Sequence, residues 1–242
     1  MSDFFKGRVD SLSSKQIIQK VMSEGRFLLT ETESKDLIKE AGINVIDTRL
    51  ARSKRDAIRI ADQIRYPVVL KIASQEITHK SDAGGVKLGI QSSEETGNAY
   101  DEILASVAQK FPKAAIEGVT VQKSARPGVE VIIGMFTDVQ FGPVLMFGLG
   151  GIFVEVIKDV SFRITPLTER DAREMIREIK GYPLLEGYRG QEKVDVSNLE
   201  STLLKISKFV DECPEIKEFD LNPIFAYSDG AVVVDARVVL KE

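Results

Sequence analysis

Apolar positions set the first elements. In "SSKQIIQKVMSEGR" the residues Ile17, Ile18, Val21 and Met22 fall at the three- and four-residue spacing of one helix face. Ser13 followed by Gln16 is a capping-box start, and Gly25 is a stop. "TETESKDLIKEAGINVI" repeats the plan with Thr30, Glu33, Leu37, Ile38 and Ala41, then Gly42, and predicts a strand from Ile43 to Thr48. Ser53 with Asp56 opens a helix through Ile64. "YPVVLKIAS" is a β-branched run and "GVKLGI" a short strand, with a further helix over 94–110.

The second half is richer in strands. "GVTVQKSA" alternates, "VEVIIGMF" and "GPVLMFGLGG" follow, and "IFVEVIKDVSFRI" continues the series. Helices are predicted over 169–180 and 198–212, behind Thr168 and Ser197 as caps. "EFDLNPIFAY" and "GAVVVDARVVL" close the chain as a hairpin turned by "SDG". The pattern is that of an α+β protein of two lobes, divided near Gly118.

Composition narrows the class. The chain has 242 residues, 43% hydrophobic and 29% charged, which is ordinary for a globular protein. No apolar run reaches the roughly 18–20 residues of a membrane span, and "MSDFFKGRVDSLSSK" lacks the apolar core of a secretion signal. With the single cysteine, Cys213, these features lead to the expectation of a cytoplasmic protein. A net charge of −4, mixed signs and no tryptophan disfavour nucleic-acid binding.

Four places carry candidate chemistry. Asp220 and Asn222 leave one face of a strand, as do Asp235 and Arg237 on its partner, and pairing would bring Asn222 near Asp235. Those are hard oxygen donors of the kind that hold magnesium beside phosphates; a solvated sheet face is the other reading. Lys71 interrupts an apolar strand, either as the outward side of the pleat or as a point charge for phosphates. Glu130, after the "ARPG" turn, is a surface carboxylate or a ribose acceptor. "GLGG" at 148–151 lacks the lysine of a P-loop and the helix of a dinucleotide fingerprint.

The fourth place is "EITHKSDAGGVKLGI". His79 is the only histidine, and it sits among polar neighbours ahead of Gly84 and Gly85. A conventional zinc site lacks ligands, and no Gly-x-Ser-x-Gly elbow exists for a hydrolase triad. Two readings stand: a solvated surface histidine, or an imidazole that carries a phosphoryl group near a glycine turn whose amides donate to phosphate oxygens.

Together, "ITHKSDAGGVKLGI", "VQKSARPGVEVIIGMFTDVQFGPVLMFGLGGIFVEVIKDVSFRI" and "EFDLNPIFAYSDGAVVVDARV" resemble the ATP-grasp nucleotide-binding subunit of ADP-forming acyl-CoA synthetases. More distantly the chain resembles succinyl-CoA synthetase β subunits, which have glutamates where this chain has Gln122 and Asp220. The resemblance implies an ATP-grasp fold with the nucleotide held between two lobes. These would be 45–118, carrying Lys71 and the His79 loop, and 119–242, carrying the metal-binding hairpin. Residues 1–44 would pack on the second lobe or on a partner. It places Lys71 along the phosphates, Gln122, Lys123 and Ala125 at the adenine edge, and Glu130 on the ribose. Asn222 and Asp235 would hold Mg²⁺, and Asp220 would face a phosphorylated His79. Arg163 and Arg237 are further phosphate-contact candidates, with an ordinary ion pair as the other role of each.

The implied activity is a relay. A CoA-binding α subunit passes a phosphoryl group to His79, and His79 passes it to Mg-ADP, the whole enzyme being an α2β2 hetero-oligomer. Two competing functions share the nucleotide site: a silent ATP-grasp sensor module of an acyltransferase, and a stand-alone carboxylate ligase making a free acyl phosphate.

Overall fold

The computed structural model describes residues 12–77, 79–151, 157–190 and 192–242. Two short helices come first, α1 (Ser14–Ser23) and α2 (Glu31–Glu40). Both begin at the expected capping boxes, Ser13 with Gln16 and Thr30 with Glu33. Each box satisfies backbone amides that the first helical turn leaves without partners.

The first sheet contains β1 (Thr48–Ala51), β2 (Val68–Ala73), β3 (Val86–Ile90) and β4 (Gly118–Lys123), in the order β1-β4-β2-β3 with antiparallel ladders. Helices α3 (Lys54–Ile64) and α4 (Ser93–Lys110) cover one face. Ile60, Leu70, Ile72, Ile103, Val119 and Val121 form the core between. Alternation along β2 sends Val68, Leu70 and Ile72 into that core and leaves Val69, Lys71 and Ala73 on the other face.

The second sheet runs β10-β8-β5-β6-β7, built from β5 (Val129–Asp138), β6 (Gly142–Leu149), β7 (Val160–Ile164), β8 (Ile216–Tyr227) and β10 (Ala236–Leu240). A short β9 (Gly230–Val233) pairs with the end of β8. Its core is filled by Val131, Ile133, Phe147 and Phe219 from the sheet and by Met175 and Leu203 from α5 (Glu169–Glu178) and α7 (Val196–Glu212). One turn, α6 (Tyr182–Leu185), lies between those helices. Ile17, Ile18, Leu37 and Ile38 belong to this second core, so α1 and α2 pack on the second lobe.

Several expectations shift. The segment expected as a strand from Ile43 to Thr48 makes one parallel bridge, Val45 to Val233; its regular ladder starts only at Thr48, opposite Gln122. β4 pairs with β1 and β2, so the first sheet reaches Lys123, past the division expected at Gly118. The cap of α7 is Asp195 rather than Ser197, because the Asp195 carboxylate accepts from the amide of Asn198 at 3.0 Å. The strand expected over 152–164 is observed from Val160; residues 152–156 lie outside the described residues. The final strand is broken in two, and Pro223 supplies the reason. It has no amide to give the ladder, and Val234 opposite it and Asp235 opposite Asn222 fall between β9 and β10. Among the described residues, no helix is long and apolar enough to cross a membrane.

Candidate nucleotide cleft

The uncovered faces of the two sheets enclose a cleft of about 890 Å³. Lys71 stands in its wall at 6% exposure. Its ammonium donates to Asp235 Oδ2 at 2.9 Å and to Glu31 Oε1 at 3.0 Å. The break in the apolar run therefore marks the cleft side of β2, not an outer solvated side. Burial alone would lower the Lys71 pKa, but Glu31 and Asp235 outweigh it and raise it above the ordinary lysine value.

Glu31 is the hub. Its two oxygens receive three ammonium groups: Lys35 at 2.9 Å and Lys71 at 3.0 Å on Oε1, and Lys80 at 2.6 Å on Oε2. Burial pushes the Glu31 carboxyl up, while the charges of Lys71, Lys35 and Lys80 pull it further down, so the group stays ionised. Lys35, four residues along the same face of α2, also donates to Gln122 Oε1 at 2.9 Å and to Thr48 Oγ1 at 2.8 Å. Burial pushes its ammonium down to about 8, with Glu31 opposing. Gln122 is buried at the cleft with its amide oxygen held by Lys35 and Thr48.

On the opposite wall, the amide of Asn222 donates to the Asp235 carbonyl at 3.2 Å, so the two residues are brought together as the hairpin pattern predicted. Asp220 pairs in register with Arg237, and all four residues line the cleft. Burial raises the Asp220 carboxyl above its ordinary value, with Arg237 opposing and Asp235 adding to the rise. One amide and one carboxylate oxygen, from Asn222 and Asp235, fit a hard divalent cation that completes its shell with phosphate and water. They do not fit a cation caged wholly by protein: the described residues contain no group of three or more His, Cys, Asp or Glu able to hold a metal.

His79 is exposed and lines the same cleft. The turn that follows closes on itself, with the amides of Gly84 and Gly85 donating to the carbonyls of Ser81 (2.9 Å) and Lys80 (2.8 Å). These glycines thus shape the turn and have no amide left for phosphate. Gly84 has φ +69°, and a Cβ on Gly85 would lie 2.5 Å from Ile72 Cγ2.

Three other expected contacts lie apart. Lys123 donates its ammonium to the carbonyls of Arg65 and Tyr66 at 2.7 and 2.8 Å, outside the cleft lining. Arg163 pairs with Glu178 at 2.7 Å on β7, remote from the cleft lining. Glu130 is exposed opposite Phe225, on the cleft-facing side of the sheet but beyond the lining. Ala125 is in the lining, beside Ser124, whose buried hydroxyl has no hydrogen-bond partner. Sequence reasoning missed Glu31, Lys35, Lys80 and Ser124. The only trace was the Glu31–Lys35 spacing in a capped first turn, which is also the pattern of a solvated helix face.

Two α/β lobes with a lysine and acidic oxygens facing across the gap define an ATP-grasp nucleotide-binding domain, and the ATP-grasp domain family matches residues 20–240. Acetate–CoA ligase (ADP-forming) I subunit β of Pyrococcus furiosus is 48% identical over 227 residues, covering 94% of this chain and 97% of that one. Acetate–CoA ligase (ADP-forming) I of Archaeoglobus fulgidus is 45% identical, with the match covering 97% of this chain and 34% of that longer protein. A solved acetyl-coenzyme A synthetase 1 of Candidatus Korarchaeum cryptofilum, in complex with coenzyme A and Ca-AMPCP, superposes with a TM-score of 0.93 at 49% identity, covering 95% of this chain and 100% of that one. This chain belongs to the family of ADP-forming acetate–CoA ligase β subunits. Two further structures of the Korarchaeum enzyme are described by their phosphohistidine segment. In one it points towards the nucleotide-binding site with Mg-AMPPCP bound; in the other it is phosphorylated, in a site I orientation.

Proposed function

We propose that this chain is the nucleotide-binding β subunit of an ADP-forming acyl-CoA synthetase, with His79 as its phosphoryl carrier. The observation that carries the reading is the meeting of His79, Lys71, Asp220, Asn222 and Asp235 in one cleft, from segments far apart in sequence. The net reaction is acyl-CoA + ADP + phosphate ⇌ acid + CoA + ATP. The step assigned to this chain breaks the bond from phosphorus to the His79 imidazole and forms one from phosphorus to a terminal oxygen of ADP. The imidazole released from phosphorus is free to be phosphorylated again in the next cycle.

Transfer of this kind asks the protein for positioning and charge more than for covalent chemistry. Lys71 supplies a fixed cation at the phosphates, oriented by Glu31 and Asp235. Gln122 and Ala125, both in the cleft lining, are assigned to the base, and Glu130, on the same side of the sheet but beyond that lining, to the ribose. Arg237, which pairs with Glu218 at 3.0 Å, stands next to Asp220 and opposes its rise in pKa. Asp220 faces the approaching imidazole. Asn222 and Asp235 would hold Mg²⁺, which when bound offsets the charge of the phosphates. The acyl and CoA chemistry is assigned to a CoA-binding α subunit in an α2β2 assembly.

The test is a labelling experiment with Mg-ATP carrying a labelled γ-phosphate. Acid-labile, base-stable label on the wild-type chain, discharged by ADP and absent from His79→Asn, is expected. No label even with the α partner present would sink the relay. Nucleotide binding without labelling would point to a sensor, and a labelled soluble acyl phosphate to a stand-alone ligase.

A further inference from the structure

The His79 segment is anchored unevenly. Its later part is fastened within the first lobe: Ser106 donates to the Ala83 carbonyl at 2.9 Å, Lys110 to the Asp82 carbonyl at 2.7 Å, and the Ile72 amide to the Gly85 carbonyl at 2.7 Å. The residue beside His79 does something different. Lys80 reaches out of the first lobe to Glu31 Oε2 on α2, at 2.6 Å, and α2 is built into the core of the second lobe. Among the described residues, no other side chain of 79–82 makes a hydrogen bond or ion pair outside the first lobe.

Glu31 is arranged so that this one contact can open. Lys35 and Lys71 share Oε1, and both are nearly buried, with side-chain exposures of 3% and 8%. Lys80 has Oε2 to itself and is 20% exposed. Losing Lys80 leaves the carboxylate still paired with two cations, so no isolated charge is stranded in a buried place. The freed ammonium is already partly wetted and returns to water at small cost. A segment with two orientations, as recorded for the Korarchaeum enzyme, can be held in one of them by a contact of this reversible kind.

We propose that Glu31 and Lys80 form the latch of the phosphoryl-carrying segment: closed, it presents His79 to the nucleotide, and it opens for His79 to leave for the partner subunit. Both are positioning residues, and the inference rests on the relay reading above. Lys80→Met removes the latch and keeps the Lys35 and Lys71 pairs; Lys80→Arg keeps the cation.

The experiment compares the two half-reactions. In the first, single-turnover labelling of His79 by saturating Mg-ATP is expected to slow about tenfold in Lys80→Met, the size of a modest population shift, and to recover in Lys80→Arg. The Kd for Mg-ADP is expected to stay within about twofold. In the second, labelled β subunit is mixed with the α subunit, acid and CoA, and discharge is expected to be as fast as wild type or faster. Slowing of both half-reactions alike, a parallel loss of Mg-ADP affinity, or unchanged labelling would each overturn the latch while leaving the relay intact. Absence of label on the wild type would remove the relay itself, and the latch with it.

Discussion

Lys71 and Glu33 show how differently single residues reveal themselves. Lys71 was visible as a lone cation in an apolar strand, but its surroundings were not, because Glu31 and Asp235 come from 40 and 164 residues away. Lys71→Met is expected to weaken Mg-ADP binding by about tenfold or more, the scale of a charge-assisted phosphate contact, as read by calorimetry. Unchanged affinity would remove Lys71 from the phosphates. Glu33 was legible outright as the third residue of a capping box. Burial raises its carboxyl, but hydrogen bonds from Arg26 and Thr30 outweigh that and hold it at about 2, against an ordinary 4.5. The unfolded chain therefore binds more protons between those values, and stability rises with pH there. Glu33→Gln is expected to cost about 1–3 kcal/mol near neutral pH, shrinking by about half near pH 3, in urea titrations. A cost independent of pH would refute the assignment.

At the scale of elements, α2 joins the parts. Leu37 and Ile38 are fully buried in the second core, while Glu31 and Lys35, nearer the start of the helix, reach β2 and β4 of the first sheet. Its period and its cap were legible, since both are set within a dozen residues; the partner of its polar face was not. Short-range pattern failed similarly at β9 and β10. "GAVVVDARVVL" reads as one strand, but it is split opposite Asn222 and Pro223 of β8, and Asp235 at the split lines the cleft. The expected strand at Ile43–Thr48 failed because its apolar residues serve a crossing between lobes. Leu37→Ala is expected to destabilise the protein by about 2–5 kcal/mol, as a cavity in a packed core does, and Thr30→Ala by about 1 kcal/mol through the lost cap. Denaturant midpoints with unchanged slopes would measure both. The larger loss should also loosen Lys71, whose carboxylate partner rides on the same helix.

For the whole molecule, the decisive feature is that each lobe has its own apolar core and that buried polar side chains reach from one to the other. Among the described residues, the side chains that link them include Lys71 with Asp235 and Glu31, Lys35 with Gln122 and Thr48, and Lys80 with Glu31. The smaller first core makes that lobe the one expected to open at lower free energy in hydrogen exchange. A nucleotide in the cleft touches both lobes, so saturating Mg-ADP stabilises them jointly, by about 2.7 kcal/mol at a hundred times its Kd. Amide protection is therefore expected to rise in β2, β3 and β4 as well as in β8, and the thermal midpoint to rise with ligand concentration. Since the linking charges are largely buried, moderate salt should change this little. Protection gained only in the second lobe would place the nucleotide outside the cleft and leave Lys71 without its assigned role. Protection gained in both, but lost in Lys71→Met, would make the buried ion pairs the path by which one ligand holds two lobes together.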